Sequence, residues 1–171
     1  MQNDKIFVLV LSLAQYQNTK LLSLKMCGRT MTEWVHHATA PFKTKTIVVS
    51  PEDDIMTIFK DNVTGAPFTV ITYADMPLLT TEDIVEAVNY CYHKNYPAVK
   101  LPRGWVFNTN LVAESETFPI TEFMPANTAH YEVAFNNIQI SKIRRLLQER
   151  INEQHIKNGV IMIDPNHTYV D

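Results

Sequence analysis

Cysteine is scarce in this 171-residue chain: Cys27 and Cys91 are the only two, and they form no Cys-x-x-Cys pair. That excludes a disulfide framework and a paired-cysteine motif, and leaves two reduced thiols, the pattern of a cytoplasmic protein, as the expectation. Basic charge is in short supply too, with 15 Lys+Arg against 18 Asp+Glu and a formal net charge of -3. Without a basic field, neither nucleic acid nor an anionic membrane is an expected partner. No apolar run is long enough to span a bilayer. The best candidate, Ile6 to Ala14 behind Lys5, reads as a first buried strand rather than a signal peptide, because strands of parallel sheets are apolar on both faces. A Gly-x-Ser-x-Gly elbow is absent, and neither cysteine has a histidine or basic neighbour pattern, so hydrolase chemistry lacks a nucleophile. The six histidines do not compensate, since His36 and His37 are adjacent and the others are scattered without zinc-site spacings.

What is present is apolar residue at 46% of the chain, enough to bury the core of one domain over residues 1–171. Three β-rich runs, Lys5 to Leu13, Lys45 to Ser50 and Pro67 to Tyr73, alternate with helical segments, a βαβαβ order that predicts an α/β fold with a mostly parallel sheet. Met31, Trp34 and Val35 give Thr30 to Ala38 an apolar face at i, i+3, i+4. Ser50 and Pro51 predict a second helix to Lys60, with Glu52, Asp53 and Asp54 at its positive end. Thr80 and Asp83 form a capping pair for a helix reaching His93. Short strands are expected at Trp105 to Phe107, Ile120 to Phe123 and Glu132 to Phe135. The clearest helix runs from Asn136 to Asn158, with Ile140, Ile143, Leu147 and Ile151 as its stripe and Gly159 as its C′ residue. On that helix Arg144-Arg145 stand among Glu149 and Glu153, which favours intrahelical pairing over an anion site. Val160 to Ile163 reads as a final strand, and Asp164-Pro165-Asn166 as a turn.

The stretch from Leu147 through Asn158-Gly159-Val160-Ile161-Met162-Ile163-Asp164-Pro165-Asn166-His167-Thr168-Tyr169-Val170-Asp171 resembles the end of the pyrophosphorylase domain of bifunctional N-acetylglucosamine-1-phosphate uridylyltransferases. Two collinear stretches strengthen the resemblance to these sugar-1-phosphate nucleotidyltransferases: Lys25-Met26-Cys27-Gly28-Arg29-Thr30-Met31-Thr32-Glu33-Trp34-Val35 and Tyr73-Ala74-Asp75-Met76-Pro77-Leu78-Leu79. The resemblance implies a shortened Rossmann-like nucleotidyltransferase (GT-A-like) fold with helices on both sheet faces. It also implies Mg2+ held by Asp75 at a strand end, where α/β proteins bind ligands; taken alone, Asp75 closes a turn before Pro77. A second metal ligand falls on Asn136 or, if Gln139 anchors the match, on Phe135. Asn136 is equally well a helix N-cap. Lys20 corresponds to a catalytic lysine that neutralises pyrophosphate, and otherwise is a surface lysine. Phe107-Asn108-Thr109 is similar to a sugar contact, which makes Asn108 a candidate substrate-binding residue.

The same resemblance shows what is missing. The family binds nucleotide phosphates with a glycine-rich loop whose N–H groups approach them closely. Here Leu11 to Leu22 contains no glycine and no arginine. Only Asp61 to Ala66 joins the second helix to the third strand, where the family carries its base-reading segment, and the sugar-binding region is short. Two readings follow. One is a pseudoenzyme, a binding or regulatory module with a protein partner or a second copy, its old cleft filled by Leu13 to Tyr16. The other is an active Mg2+-dependent enzyme joining a nucleoside triphosphate to a sugar 1-phosphate.

Overall fold

The computed structural model describes residues 3–16, 23–113 and 117–170. Its elements are β1 (Ile6–Leu13), β2 (Lys25–Met26), β3 (Arg29–Thr30), α1 (Met31–Thr39), β4 (Lys43–Val49), α2 (Ile55–Asp61), β5 (Phe68–Tyr73), α3 (Thr81–His93), β6 (Ala98–Leu101), β7 (Gly104–Asn108), α4 (Thr109–Ala113), β8 (Ile120–Glu122) and α5 (Asn137–Lys157). Six strands form one sheet in the order β4-β1-β5-β7-β6-β8. β7 alone runs against the others, pairing antiparallel with β5 and β6, so the sheet is mainly parallel.

The alternation of side chains along a strand divides the core. In β1, Ile6, Val8 and Val10 face α1 and α3, packing with Val35, Ala38, Ile84 and Val88. Phe7, Leu9 and Leu11 face the other side, where α2 and α4 bring Ile58, Phe59 and Val112. Central β1 is therefore apolar on both faces, and the run at the start of the sequence is a strand. A third cluster lies beyond the sheet, where Ile140, Ile143 and Leu147 of α5 meet Met26, Met31, Trp34 and Leu78.

Helix ends follow local chemistry. Thr30 caps α1 through a reciprocal box with Glu33, at 3.2 Å from the Glu33 N–H and 2.7 Å from the Thr30 N–H. Asn136 caps α5, and the chain leaves that helix through Gly159 at φ +91. The Ser50–Pro51 start expected for the second helix is corrected. Asp53 turns back to Ser50, its N–H donating to the Ser50 carbonyl, and α2 begins at Ile55 with Asp54 as cap. Two further strands are corrected as well. Glu132 to Phe135 is irregular, and Val160 to Ile163 pairs with no strand among the described residues, with Ile161 and Ile163 exposed. The turn at Asp164-Pro165-Asn166 does form, and Asn152 holds the tail beside it by donating to the Pro165 and Thr168 carbonyls.

Asp83 does more than cap α3. Its buried carboxylate accepts from the Thr80 N–H at 2.8 Å, the Thr80 hydroxyl at 2.7 Å and His130 Nδ1 at 2.9 Å. Burial would raise its pKa, but the hydrogen bonds from His130 and Thr80 prevail and hold the carboxyl below the ordinary Asp range. A depressed carboxyl contributes stability that is complete above the unfolded-state pKa and is lost as pH falls through the folded one. Asp83→Asn is thus expected to cost about 2 kcal/mol at neutral pH. It should also flatten the acid limb of the stability curve, read by urea unfolding at stepped pH.

Candidate functional site

The chain leaves β1 for β4 on one side and then returns to β5 on the other, so the order reverses at β1. In open α/β sheets, ligands bind outside the carboxyl ends of strands at such a point. The Ala74 N–H donates to the Leu11 carbonyl at 2.9 Å, which prolongs the pairing of β5 with β1 and delivers Asp75 to that edge. Because β7 is antiparallel, it starts at the same edge, preceded by Arg103. The β6–β7 turn closes tightly against β5 only because residue 104 is glycine. Its φ is +123, and a Cβ there would stand 2.3 Å from the Ile71 carbonyl oxygen.

This geometry brings together two residues 28 positions apart. Arg103 Nη2 donates to Asp75 Oδ2 at 2.6 Å, and the guanidinium carbon lies 4.2 Å from the centroid of the Tyr73 ring. Asp75 is only 4% exposed. Burial pushes its carboxyl up, Arg103's charge and hydrogen bond pull it back, and burial prevails, leaving it above the ordinary range. Burial likewise raises the Tyr73 phenol, against the pull of Arg103. Asp75 Oδ1, Arg103 Nε and the neighbouring Thr72 hydroxyl have no hydrogen-bond partner among the described residues.

Mg2+, which the sequence resemblance implies here, requires an octahedral shell of oxygens and keeps several waters. The donor set does not fit that ion, because the one carboxylate at this edge, Asp75, is buried and already meets a guanidinium cation. Asn136 is an exposed N-cap whose side-chain oxygen, the atom a metal would need, accepts from the N–H groups of Ile138 at 3.1 Å and Gln139 at 3.0 Å.

Asn108 is not brought to this edge. It pairs in register with Phe68 at the amino end of β5, the opposite side of the sheet, and accepts from the Leu111 N–H at 3.5 Å. Lys20 lies outside the described residues. Of the segment expected to fill the cleft, Leu13 is partly buried while Ala14 and Gln15 are exposed. Arg145 pairs with Glu149 at 3.5 Å as its spacing predicts, whereas Arg144 reaches the Lys25 carbonyl. Arg103 is the site residue that sequence reasoning missed. The only signal was the Pro102-Arg103-Gly104 turn between two short strands, a feature that fixes a hairpin and names no partner.

The fold is that of nucleotidyltransferases. It superposes with a TM-score of 0.61 at 11% identity on a CMP:2-keto-3-deoxy-manno-octonic acid synthetase complexed with CTP, over 86% of this chain and all (100%) of that one. A 4-diphosphocytidyl-2C-methyl-D-erythritol synthase from Anaerococcus prevotii superposes at 0.59 with 9% identity, over 85% and 100% of the two chains. In sequence the chain is similar to the bifunctional protein GlmU. It is 38% identical over 61 residues to that of Pediococcus pentosaceus, and 42% identical over 36 residues to that of Clostridium tetani. These matches take in 36% and 21% of this chain, and span only 11% and 8% of those relatives. No protein-family model matches the chain. Among the described residues no helix is long and apolar enough to cross a membrane.

Proposed function

We propose that this chain is a nucleotidyltransferase-like domain that has given up nucleotidyl transfer and acts as a binding or regulatory module, with a protein or a second copy as its partner. The observation that carries this reading is the Asp75–Arg103 pair. The carboxylate at the strand end, where the related fold would place its catalytic cation, is neutralised by the chain's own guanidinium at 2.6 Å. Transition-state stabilisation in phosphoryl chemistry depends on preorganised donors and charges, each worth about 3 kcal/mol. Here the loop after β1 lacks the glycines that would offer such donors, and the remaining acid is engaged. The alternative, an active Mg2+-dependent enzyme joining a nucleoside triphosphate to a sugar 1-phosphate, is favoured by one feature alone, the unpartnered Asp75 Oδ1.

Calorimetric titration with UTP, and with CTP because a solved protein of this fold holds it, separates the two. The expected result is no Mg2+-dependent binding to the wild-type chain. Saturable Mg2+-dependent heat that disappears in Asp75→Ala would establish the enzyme reading instead, and an assay for pyrophosphate release with sugar phosphates would follow.

A further inference from the structure

A cavity of about 580 Å³ lies between the end of α1, the start of α3 and the last turns of α5. None of Leu13, Tyr73, Asp75 or Arg103 lines it. Its size falls within the range of small-molecule sites, about 300–1,000 Å³. Its walls are apolar where Trp34, Leu79 and Ile151 meet, and two guanidiniums, those of Arg29 and Arg150, border the same space.

The two arginines are held differently. Arg29 lies over the face of Trp34, its guanidinium carbon 4.8 Å from the ring centroid, and makes no side-chain hydrogen bond to a described residue. Trp34 is itself fixed, its indole N–H donating to the Met26 carbonyl at 2.8 Å. Arg150 is half-buried and donates one bond, at 2.7 Å, to the Leu78 carbonyl. Among the described residues neither guanidinium has a carboxylate within 4.0 Å. Glu82 is the one acid on the cavity wall. Asp83 and Glu153 also bear on Arg150 through space and Glu33 on Arg29, but Asp83 is taken by His130 and Thr80, Glu153 faces Lys157, and Glu33 is taken by the Thr30 N–H. Two guanidiniums against one carboxylate leave a positive surplus beside an apolar wall.

A guanidinium offers a planar fork of donors matched to carboxylate and phosphate oxygens. Arg150 uses one arm of its fork on a carbonyl and keeps the rest for the cavity. Trp34 is buried and carries Arg29 over its ring, so it forms a fixed apolar wall behind that guanidinium rather than a platform for a second ring. From the cavity, its two guanidiniums without a carboxylate partner and its apolar wall we infer a binding site for a small phosphate monoester carried on an apolar body. The phosphate lies between Arg29 and Arg150, and the body lies on Leu79 and Ile151. This site is separate from the edge that carries Asp75 and does not depend on whether nucleotidyl transfer survives.

Phenyl phosphate is the smallest probe with both parts, with inorganic phosphate and phenol as half-probes. Titration of the full chain is expected to give saturable phenyl phosphate binding, with inorganic phosphate and phenol each at least about tenfold weaker, the worth of one charge-assisted contact or one buried ring. Arg29→Gln and Arg150→Lys should each weaken phenyl phosphate by about tenfold through loss of the guanidinium fork, and Arg103→Met should leave it unchanged. Arg29 is partly exposed, so its variant keeps the test open if Arg150→Lys loses the fold. Absence of saturation at millimolar phenyl phosphate, or affinity unmoved by Arg29→Gln, overturns the proposal. So does affinity lost in Arg103→Met protein that far-UV circular dichroism shows to be folded, which would move the ligand to the Asp75 edge.

Discussion

Gly104→Ala is expected to lower stability by about 3–5 kcal/mol, the sum of a backbone cost and a steric one. The φ of +123 at this position lies where residues with a Cβ pay roughly 1–3 kcal/mol. The added carbon would also stand 2.3 Å from the Ile71 carbonyl oxygen. That oxygen belongs to the backbone of β5, whose other edge pairs with β1 along its length, so it cannot swing aside like a flexible side chain. Relief requires β7 to move away from β5, which loosens the antiparallel ladder from Ile71–Trp105 onward. Two other glycines separate the terms. Gly159 has φ +91 but open space around its Cβ position, and Gly65 has open space without a positive φ. Gly159→Ala should therefore cost about 1 kcal/mol from conformation alone, and Gly65→Ala close to nothing. Urea midpoints for the three variants check this ordering. A Gly104→Ala midpoint no lower than that of Gly159→Ala would mean the close approach to Ile71 carries no weight.

The parts of the fold that were legible in the sequence are those decided within a few residues. The Thr80–Asp83 box, the Asn136 cap and the Gly159 terminator are local hydrogen-bond and φ choices, and each stands where its residue type placed it. The double-sided apolar character of β1 was equally plain, because burial on both faces leaves no polar alternation. The start of α2 was misjudged because Ser50 and Asp54 are both competent caps. Asp53 settles the matter by accepting from the Ser50 N–H at 2.7 Å, which spends the first of them on a turn. Val160 to Ile163 carries strand-forming residues, yet β-propensity reports fit to a neighbouring strand rather than a backbone preference, and none of the described strands pairs with it.

The candidate site was legible only in half. Asp75 could be named only through the resemblance carried by Tyr73 to Leu79, since taken alone it closes a turn before Pro77, and nothing near it in sequence announces Arg103. The pairing depends on β7 running antiparallel beside β5, a property of the sheet as a whole. A hairpin one residue out of register would turn Arg103 to the other face. The carboxylate's partner is set by the three-dimensional pairing of the strands alone.

Arg103→Met is expected to cost about 3 kcal/mol at neutral pH, the scale for a buried ion pair stripped of one partner. Methionine keeps an unbranched apolar stem against the Tyr73 ring, so the change removes charge and hydrogen bond more than packing. What remains is a carboxylate whose side chain is 6% exposed, with Oδ1 unpartnered and Oδ2 newly so. The pH dependence follows from the sign of the shift. Burial already holds Asp75 above its ordinary range despite Arg103, and removing the guanidinium raises it further. A carboxyl raised in the folded state binds its proton there first, so stability falls as pH climbs through the interval between the unfolded and folded pKa values. In Arg103→Met that interval extends upward, and the penalty should shrink as pH is lowered through it, because a neutral acid is cheaper to bury. Adding Asp75→Asn to Arg103→Met removes the buried charge altogether, and the double variant should recover most of the loss and show no such pH dependence. Urea unfolding of the wild type, both single variants and the double variant at two pH values measures the coupling directly. A loss in Arg103→Met that is the same at both pH values and persists in the double variant would assign the effect to packing on Tyr73, and the charge of Asp75 would then carry no weight at this edge of the sheet.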